Sequence, residues 1–166
     1  MINLIIGISS ILTLMLQFGI INRLPLLSGT ADLLIVFVAA WSLQDYVKHY
    51  WIFTLSIGVF VSLISAMPFF TPLISYLAVY LLAQLIKKRL WQVPLLAMFS
   101  IVFLGTLIQH LIYMFVLQVS GVILNWAEGF SNTALPSLLI NIALVIPVFA
   151  IVQELAVIFT PKGQEV

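Results

Sequence analysis

Three consecutive basic residues, Lys87-Lys88-Arg89, separate two long stretches of apolar sequence that carry almost no charge. A cluster of charges is too costly to lie in hydrocarbon, whereas roughly 20 apolar residues are what a helix needs to cross a bilayer. The cluster therefore marks a membrane surface, and its positive sign indicates the cytoplasmic one.

The composition supports a membrane location for the whole chain. Hydrophobic residues make up 64% and charged residues 7%, whereas a soluble domain carries about 25% charged residues. The net charge of +1 provides no basic stripe for nucleic acid. The lack of cysteine excludes disulfides, thiolate catalysis and iron–sulfur ligation. The first apolar segment has no basic region before it and no clear cleavage site, so we expect a retained anchor.

Six apolar segments predict an all-α integral membrane protein, a bundle of six transmembrane helices forming one polytopic domain over residues 1–166. The approximate spans are 2–21, 31–47, 50–67, 73–86, 94–119 and 136–159. Pro68 and Pro72 interrupt the pattern before the short fourth span, whose start could lie between them. Pro94 fits the first turn of the fifth span, and Pro147 predicts a kink in the sixth.

The links between spans give the orientation of the chain. With six spans, the termini and the even-numbered links share one side, which holds five basic residues while the other side holds only Arg23. The five are Lys48, Lys87, Lys88, Arg89 and Lys162. The positive-inside rule therefore places both termini in the cytoplasm. In the link before the last span, residues 122–126 predict a short interfacial helix with Trp126 at headgroup depth.

Polar residues at similar depth in several spans are candidates for a cavity open to the external side. They are Gln17, Asp32, Gln109, His110 and Asn141. Such groups are costly inside a membrane and mark functional sites by default, with His110 as a titrating member. The interpretation that we favour is interhelical hydrogen bonding, at about 0.6 kcal/mol per bond. Asp32 is also expected in the first turn of the second helix, where a carboxylate complements the helix dipole.

A second polar set is predicted near the cytoplasmic surface, comprising Lys87, Lys88, Arg89 and Glu154. We expect Glu154 to pair with Lys87 or Lys48, because an unpaired buried carboxylate would take up a proton. A proton-coupled carrier would normally show more than one deep carboxylate. Here the acidic residues in or beside the spans lie near span ends, which weakens a transporter interpretation.

The sequence shows no enzymatic or cofactor-binding motif. His49 and His110 fall on opposite sides of the predicted membrane, and there is no HExxH, GxGxxG, P-loop or GxSxG sequence. We therefore predict a protein without a catalytic site, metal or cofactor.

Small residues recur at every fourth position of the third span, at Thr54, Gly58, Ser62 and Ala66. Such a stripe lets another helix approach closely. We favour a partner helix from the same chain; the alternative is that the stripe binds a separate single-pass protein.

Several of these stretches together resemble the MreD family of bacterial rod shape-determining proteins. They are Leu16-Gln17, the run from Ala31 to Phe37, Gly58, the run from Leu135 to Pro147, and Gln153-Glu154. Length, six spans and inside termini also match. The chain departs from the family pattern at Ala31, where many members have proline. It departs again at Ser62 and Ser65, where many carry an acid.

The resemblance implies a non-catalytic scaffold of the cell-elongation machinery in the bacterial cytoplasmic membrane. Such a protein binds the bitopic protein MreC and helps couple cytoplasmic MreB filaments to peptidoglycan synthesis by RodA and its transpeptidase. It also implies an architecture like that of the substrate-binding subunits of energy-coupling-factor transporters. The alternative function is a small-molecule-binding membrane subunit of a vitamin or metal uptake transporter. A lipid-modifying enzyme has the least support.

Overall fold

The computed structural model describes residues 2–23, 29–45, 47, 49–68, 70–90 and 92–159. Over these residues the chain is all-helical and contains no strand. The α-helices are α1 (Ile2–Gly19), α2 (Leu33–Ser42), α3 (Tyr50–Ile64), α4 (Thr71–Arg89), α5 (Pro94–Val119), α6 (Trp126–Gly129) and α7 (Leu135–Phe159). Six of them correspond to the six predicted segments, and α6 is a single turn.

Three helical stretches are long and apolar enough to cross a membrane. They are Ile2–Arg23, which extends α1 through a 3-10 turn, Pro94–Val119, and Trp126–Phe159. The first stretch is the least covered by the rest of the protein, at 22% buried against 39% and 28% for the other two. These findings support a membrane protein built from helices.

Several helix ends differ from the predicted spans. α2 has only ten residues and ends at Ser42, five residues before the predicted end. α4 begins at Thr71, between Pro68 and Pro72. Pro72 fits the first turn because an N–H group at that position would have no partner within the helix, so the N–H that proline lacks is not missed. It continues to Arg89, so the basic cluster forms its last turn. Cations are favourable there because the carboxyl end of a helix carries partial negative charge.

The predicted interfacial helix at residues 122–126 is misplaced, because the helix starts at Trp126. The Asn125 side chain sets this start by accepting hydrogen bonds from the backbone N–H groups of Ala127 (3.2 Å) and Glu128 (3.5 Å). A π turn over Phe130–Ala134 then joins α6 to α7. The last helical run is therefore 34 residues long. It passes through Pro147, where the kink stays a prediction.

The short helix α2 is the axis of the bundle. Nine of its ten residues are buried, on every side of the helix. Its sequence, LLIVFVAAWS, has no polar face, which is the pattern of a helix surrounded by others. α1, α4, α5 and α7 pack around it. Polar groups consequently gather at the two ends of α2.

Candidate functional site

The N-terminal end of α2 is capped by Asp32, one position before the first helical residue. Its carboxylate accepts a hydrogen bond from the backbone N–H of Ile35 at 3.1 Å. Gln109 on α5 donates to the same carboxylate at 2.6 Å. The Tyr76 hydroxyl on α4 donates to it at 3.1 and 3.3 Å. One carboxylate therefore joins three helices.

Asn141 on α7 extends this network to a fourth helix. Its side chain is fully buried, and its carbonyl oxygen accepts from the backbone N–H of Asp32 at 2.8 Å. Its amide group donates to the Thr106 hydroxyl on α5 at 3.1 Å. Both ends of this amide are thus used to hold α7 against α2 and α5.

Gln17 on α1 performs a similar task for the backbone that enters α2. Its amide nitrogen donates to the carbonyl of Ala31 at 2.9 Å and to the Asn22 side chain at 2.7 Å. Its oxygen accepts from the backbone N–H of Leu33 at 2.8 Å. Non-helical backbone inside a protein needs such partners, because its own groups are not paired within a helix.

The same entering segment is held against the start of α7. The Thr30 N–H donates to the Ser137 hydroxyl at 2.9 Å. A Cβ atom added at Gly29 would lie 2.6 Å from the Ser137 nitrogen and 2.7 Å from Pro136. Glycine is required there because only a residue without a side chain permits this approach between the two backbones.

Four of the five residues predicted for the cavity therefore meet in one hydrogen-bonded cluster, which we call the polar node. It contains Gln17, Asp32, Gln109 and Asn141, together with Tyr76, Thr106 and Ser137. The fifth, His110, is half-buried, and its Nδ1 lies 2.9 Å from the carbonyl of Thr106 in its own helix. The bonding between helices is of the kind that we favoured, and a ligand cavity at this place stays a prediction.

Sequence reasoning missed the hydroxyl groups of the node. Thr106 lies one turn before His110, and Ser137 one turn before Asn141. Residues four apart lie on the same face of a helix. This spacing from His110 and Asn141 could therefore have identified Thr106 and Ser137 as further members of the node. Tyr76 gave no such signal, because its hydroxyl reaches Asp32 from a helix with no other predicted member.

The C-terminal end of α2 carries the second polar set. Lys87 forms an ion pair with Asp45 at 2.9 Å and donates to the carbonyl of Ser42, the last residue of α2, at 3.5 Å. The predicted pairing of Lys87 with Glu154 is therefore wrong: α4 passes the end of α2, and Glu154 is exposed on α7. Lys88 and Arg89 are also exposed, while Lys48 and Lys162 lie outside the described residues.

Aromatic rings cover α2 next to this end. Trp41 stacks on Tyr50, with ring centroids 6.4 Å apart, and Tyr50 stacks on Phe53 at 6.2 Å. Phe37 meets the edge of Trp41 at 6.3 Å. The indole nitrogen of Trp41 and the hydroxyl of Tyr50 are buried without a hydrogen-bond partner. These two aromatic side chains are therefore held by packing, while Lys87 supplies the hydrogen bond and the ion pair at this end.

The small-residue stripe of α3 faces α4 of the same chain. A Cβ atom added at Gly58 would collide with Leu73, lying 2.6 Å from its Cδ1 and 2.9 Å from its Cα. The Ser62 hydroxyl accepts from the Leu73 N–H at 3.1 Å, and Thr54 is buried. Ala66 lies beyond the end of α3 and is exposed. At Gly58 and Ser62 the partner is therefore internal.

Within the described part of the chain, no group of three or more His, Cys, Asp or Glu residues could hold a metal ion. Comparisons with protein-family models, curated proteins and solved structures find no match to this chain.

Proposed function

We propose that this protein is a multi-pass, non-catalytic scaffold of the MreD type in the bacterial cytoplasmic membrane. It binds a single-pass MreC-like protein and helps couple MreB filaments to wall synthesis by RodA and its transpeptidase. The observation that carries this proposal is the polar node. The Gln109 amide donates to the Asp32 carboxylate, and the amides of Gln17 and Asn141 bond to the backbone that enters α2. Groups that are paired in this way hold helices in place more readily than they bind a solute.

At ten residues, α2 can cross the membrane only together with the backbone that precedes it. Ten residues of helix span about 15 Å, half of the roughly 30 Å of a hydrocarbon core. The four non-helical residues 29–32 can add at most about 13 Å. Such backbone is tolerated at membrane depth only where it is enclosed by protein. Gln17 encloses this backbone by donating to the Ala31 carbonyl, and Ser137 and Asn141 do so by accepting from the N–H groups of Thr30 and Asp32.

The relative direction of α1 and α3 agrees with the proposed orientation. Gly7 on α1 lies opposite Phe53 on α3, because a Cβ atom added at Gly7 would be 3.8 Å from the Phe53 ring. The groove between the two helices then continues to Phe18 and Ile64, so the helices run in the same direction. Odd-numbered spans of a six-span protein must share a direction, and the excess of basic residues places their starting ends in the cytoplasm.

Labelling of single cysteines tests the orientation, and the natural lack of cysteine makes this assay clean. We expect Ser131→Cys to react in intact cells with a reagent that does not cross the membrane. Lys88→Cys should react only after the cells are opened. Both positions are exposed. Reaction of both residues in intact cells would contradict the proposed orientation.

Co-purification tests the scaffold function. The chain is expressed with an MreC-like protein from the same genome, purified through its own tag in mild detergent, and the eluate is weighed by native mass spectrometry. We expect the partner to be retained, whereas an unrelated single-pass protein expressed at the same level should be lost. If no partner is retained and a bound solute is found, the scaffold proposal fails and the uptake-subunit alternative holds.

A further inference from the structure

An apolar groove lies between α1 and α3. Its volume is about 630 Å³, and it runs from Gly7 to Phe18 on α1 and from Phe53 to Ile64 on α3. From the first to the last of these twelve residues, each helix rises by about 16 Å. The groove follows the helical stretch that the rest of the protein covers least.

The groove offers no free hydrogen-bond donor from the serines that line it. Ser10 donates to the carbonyl of Ile6 at 2.7 Å, and Ser56 donates to the carbonyl of Ile52 at 3.0 Å. The hydrogen of each hydroxyl is therefore used within its own helix. What remains is a hydrocarbon surface with aromatic walls from Phe18, Phe53 and Phe60. An occupant must be apolar along the length of the groove.

The size of the groove favours a hydrocarbon chain over a helix as its apolar occupant. A helix of this length, about 10 to 12 Å wide with its side chains, fills roughly 1,300 to 1,800 Å³. That is at least twice the volume of the groove, which falls inside the roughly 300 to 1,000 Å³ typical of small-ligand sites. A flexible hydrocarbon chain fits this volume, whereas a helix could insert only one face.

A charge lies near one end of the groove. Arg23 is exposed in the 3-10 turn that continues α1, five residues beyond Phe18. On the proposed topology it is the only basic residue on the external side. Arginine forms strong bidentate hydrogen bonds with phosphate. The apolar groove is suited to a hydrocarbon chain, and the Arg23 guanidinium beyond the Phe18 end is suited to a phosphate joined to that chain.

We propose that this groove binds an acyl chain of one membrane phospholipid, whose phosphate lies beside Arg23. The site is distinct from the polar node. It depends on the membrane location proposed above but not on the identity of any protein partner.

The test is native mass spectrometry of the full chain extracted from membranes in mild detergent. Ser56→Phe fills the groove. Ser100→Phe is the matched control, because the Ser100 hydroxyl also donates to the carbonyl one turn earlier, at 2.9 Å. Ser100 lines a smaller groove of about 390 Å³ on α5. Both variants are first checked for unchanged unfolding midpoints, so that loss of lipid is not loss of fold.

We expect one phospholipid on the wild-type protein and on Ser100→Phe, and at least about tenfold less on Ser56→Phe, which corresponds to about 1.4 kcal/mol. Arg23→Gln should reduce retention of added phosphatidylglycerol while leaving the groove intact. Equal retention by Ser56→Phe and the wild type, or no lipid on the wild type, would overturn the proposal. So would a Ser56→Phe variant that keeps lipid but loses its protein partner, since the groove would then bind a helix. Failure of the proposed membrane location would appear separately, in the cysteine labelling.

Discussion

The N-terminal end of α2 is enclosed by hydrogen-bonded amide, carboxylate and hydroxyl groups, whereas its C-terminal end is covered by stacked aromatic rings. At the first end, the carboxylate of Asp32 and both polar atoms of the Asn141 side chain have partners. At the second end, the indole of Trp41 and the hydroxyl of Tyr50 are buried without partners.

The difference follows from what each end must connect. α2 is entered through non-helical backbone, whose N–H and C=O groups require partners wherever they are buried. The other end leaves the bundle beside Asp45, which is 84% exposed, so its backbone can reach water. Hydrogen bonds are directional and can set the position of a helix, whereas apolar contact stabilises without fixing a direction.

Loss of the Asp32 carboxylate should produce the largest effect. Asp32→Ala removes the N-cap and leaves the Tyr76 hydroxyl and the Gln109 amide without their acceptor. We expect the free energy of unfolding to fall by about 2 to 3 kcal/mol. The measurement is reversible unfolding in mixed micelles. Asp45→Ala at the other end is the control and should cost about 1 kcal/mol or less. Equal losses would remove the distinction between the two ends.

Asn141→Leu should have the next largest effect, a loss of about 1 to 2 kcal/mol, because the Asp32 N–H and the Thr106 hydroxyl become unpartnered. Thr106→Val in the Asn141→Leu background should then cost less than Thr106→Val alone, since its partner is already gone. Additive losses in this double-mutant cycle would show that the bond between Asn141 and Thr106 does not contribute.

Much of the polar node was predictable from the sequence, and much of the other end was not. Counting spans assigns each polar residue a depth, which is why the sequence alone groups Gln17, Asp32, Gln109 and Asn141. The ion pair between Lys87 and Asp45 could not be predicted. The apolar sequence continues past Ser42 and gives no sign that α2 ends there. With α2 extended to residue 47, Asp45 would lie inside a helix, and Glu154 then becomes the natural partner for Lys87.

The helical link before α7 was also not predicted at its observed position. Residues 126–134 include glycine, serine and asparagine, which favour turns and caps. Asn125 nevertheless starts a helix there, and the π turn keeps it continuous with α7. The composition of residues 126–134 indicated a loop. The Asn125 cap and the continuation into α7 make this segment helical instead.

At the C-terminal end, Lys87→Met should cost about 1 kcal/mol or less. The variant loses a partly exposed ion pair and a weak bond to the last carbonyl of α2, but keeps the apolar stem of the side chain. Because an exposed pair is screened by salt, the difference between Lys87→Met and the wild type should shrink at high ionic strength. A difference that is unchanged by salt would place the contribution in packing instead of charge.

The most direct measurement compares two buried tyrosines, one at each end of α2. Tyr76 is 2% exposed and donates to Asp32, while Tyr50 is 1% exposed and its hydroxyl has no partner. Phenylalanine in either place removes only the hydroxyl. We expect Tyr76→Phe to lower the free energy of unfolding by about 0.6 kcal/mol, the average for a hydrogen bond between membrane helices. Tyr50→Phe should leave it unchanged or raise it, because removing an unpaired buried hydroxyl removes a cost. The opposite result, a loss for Tyr50→Phe and none for Tyr76→Phe, would contradict the division between a hydrogen-bonded and a packed end.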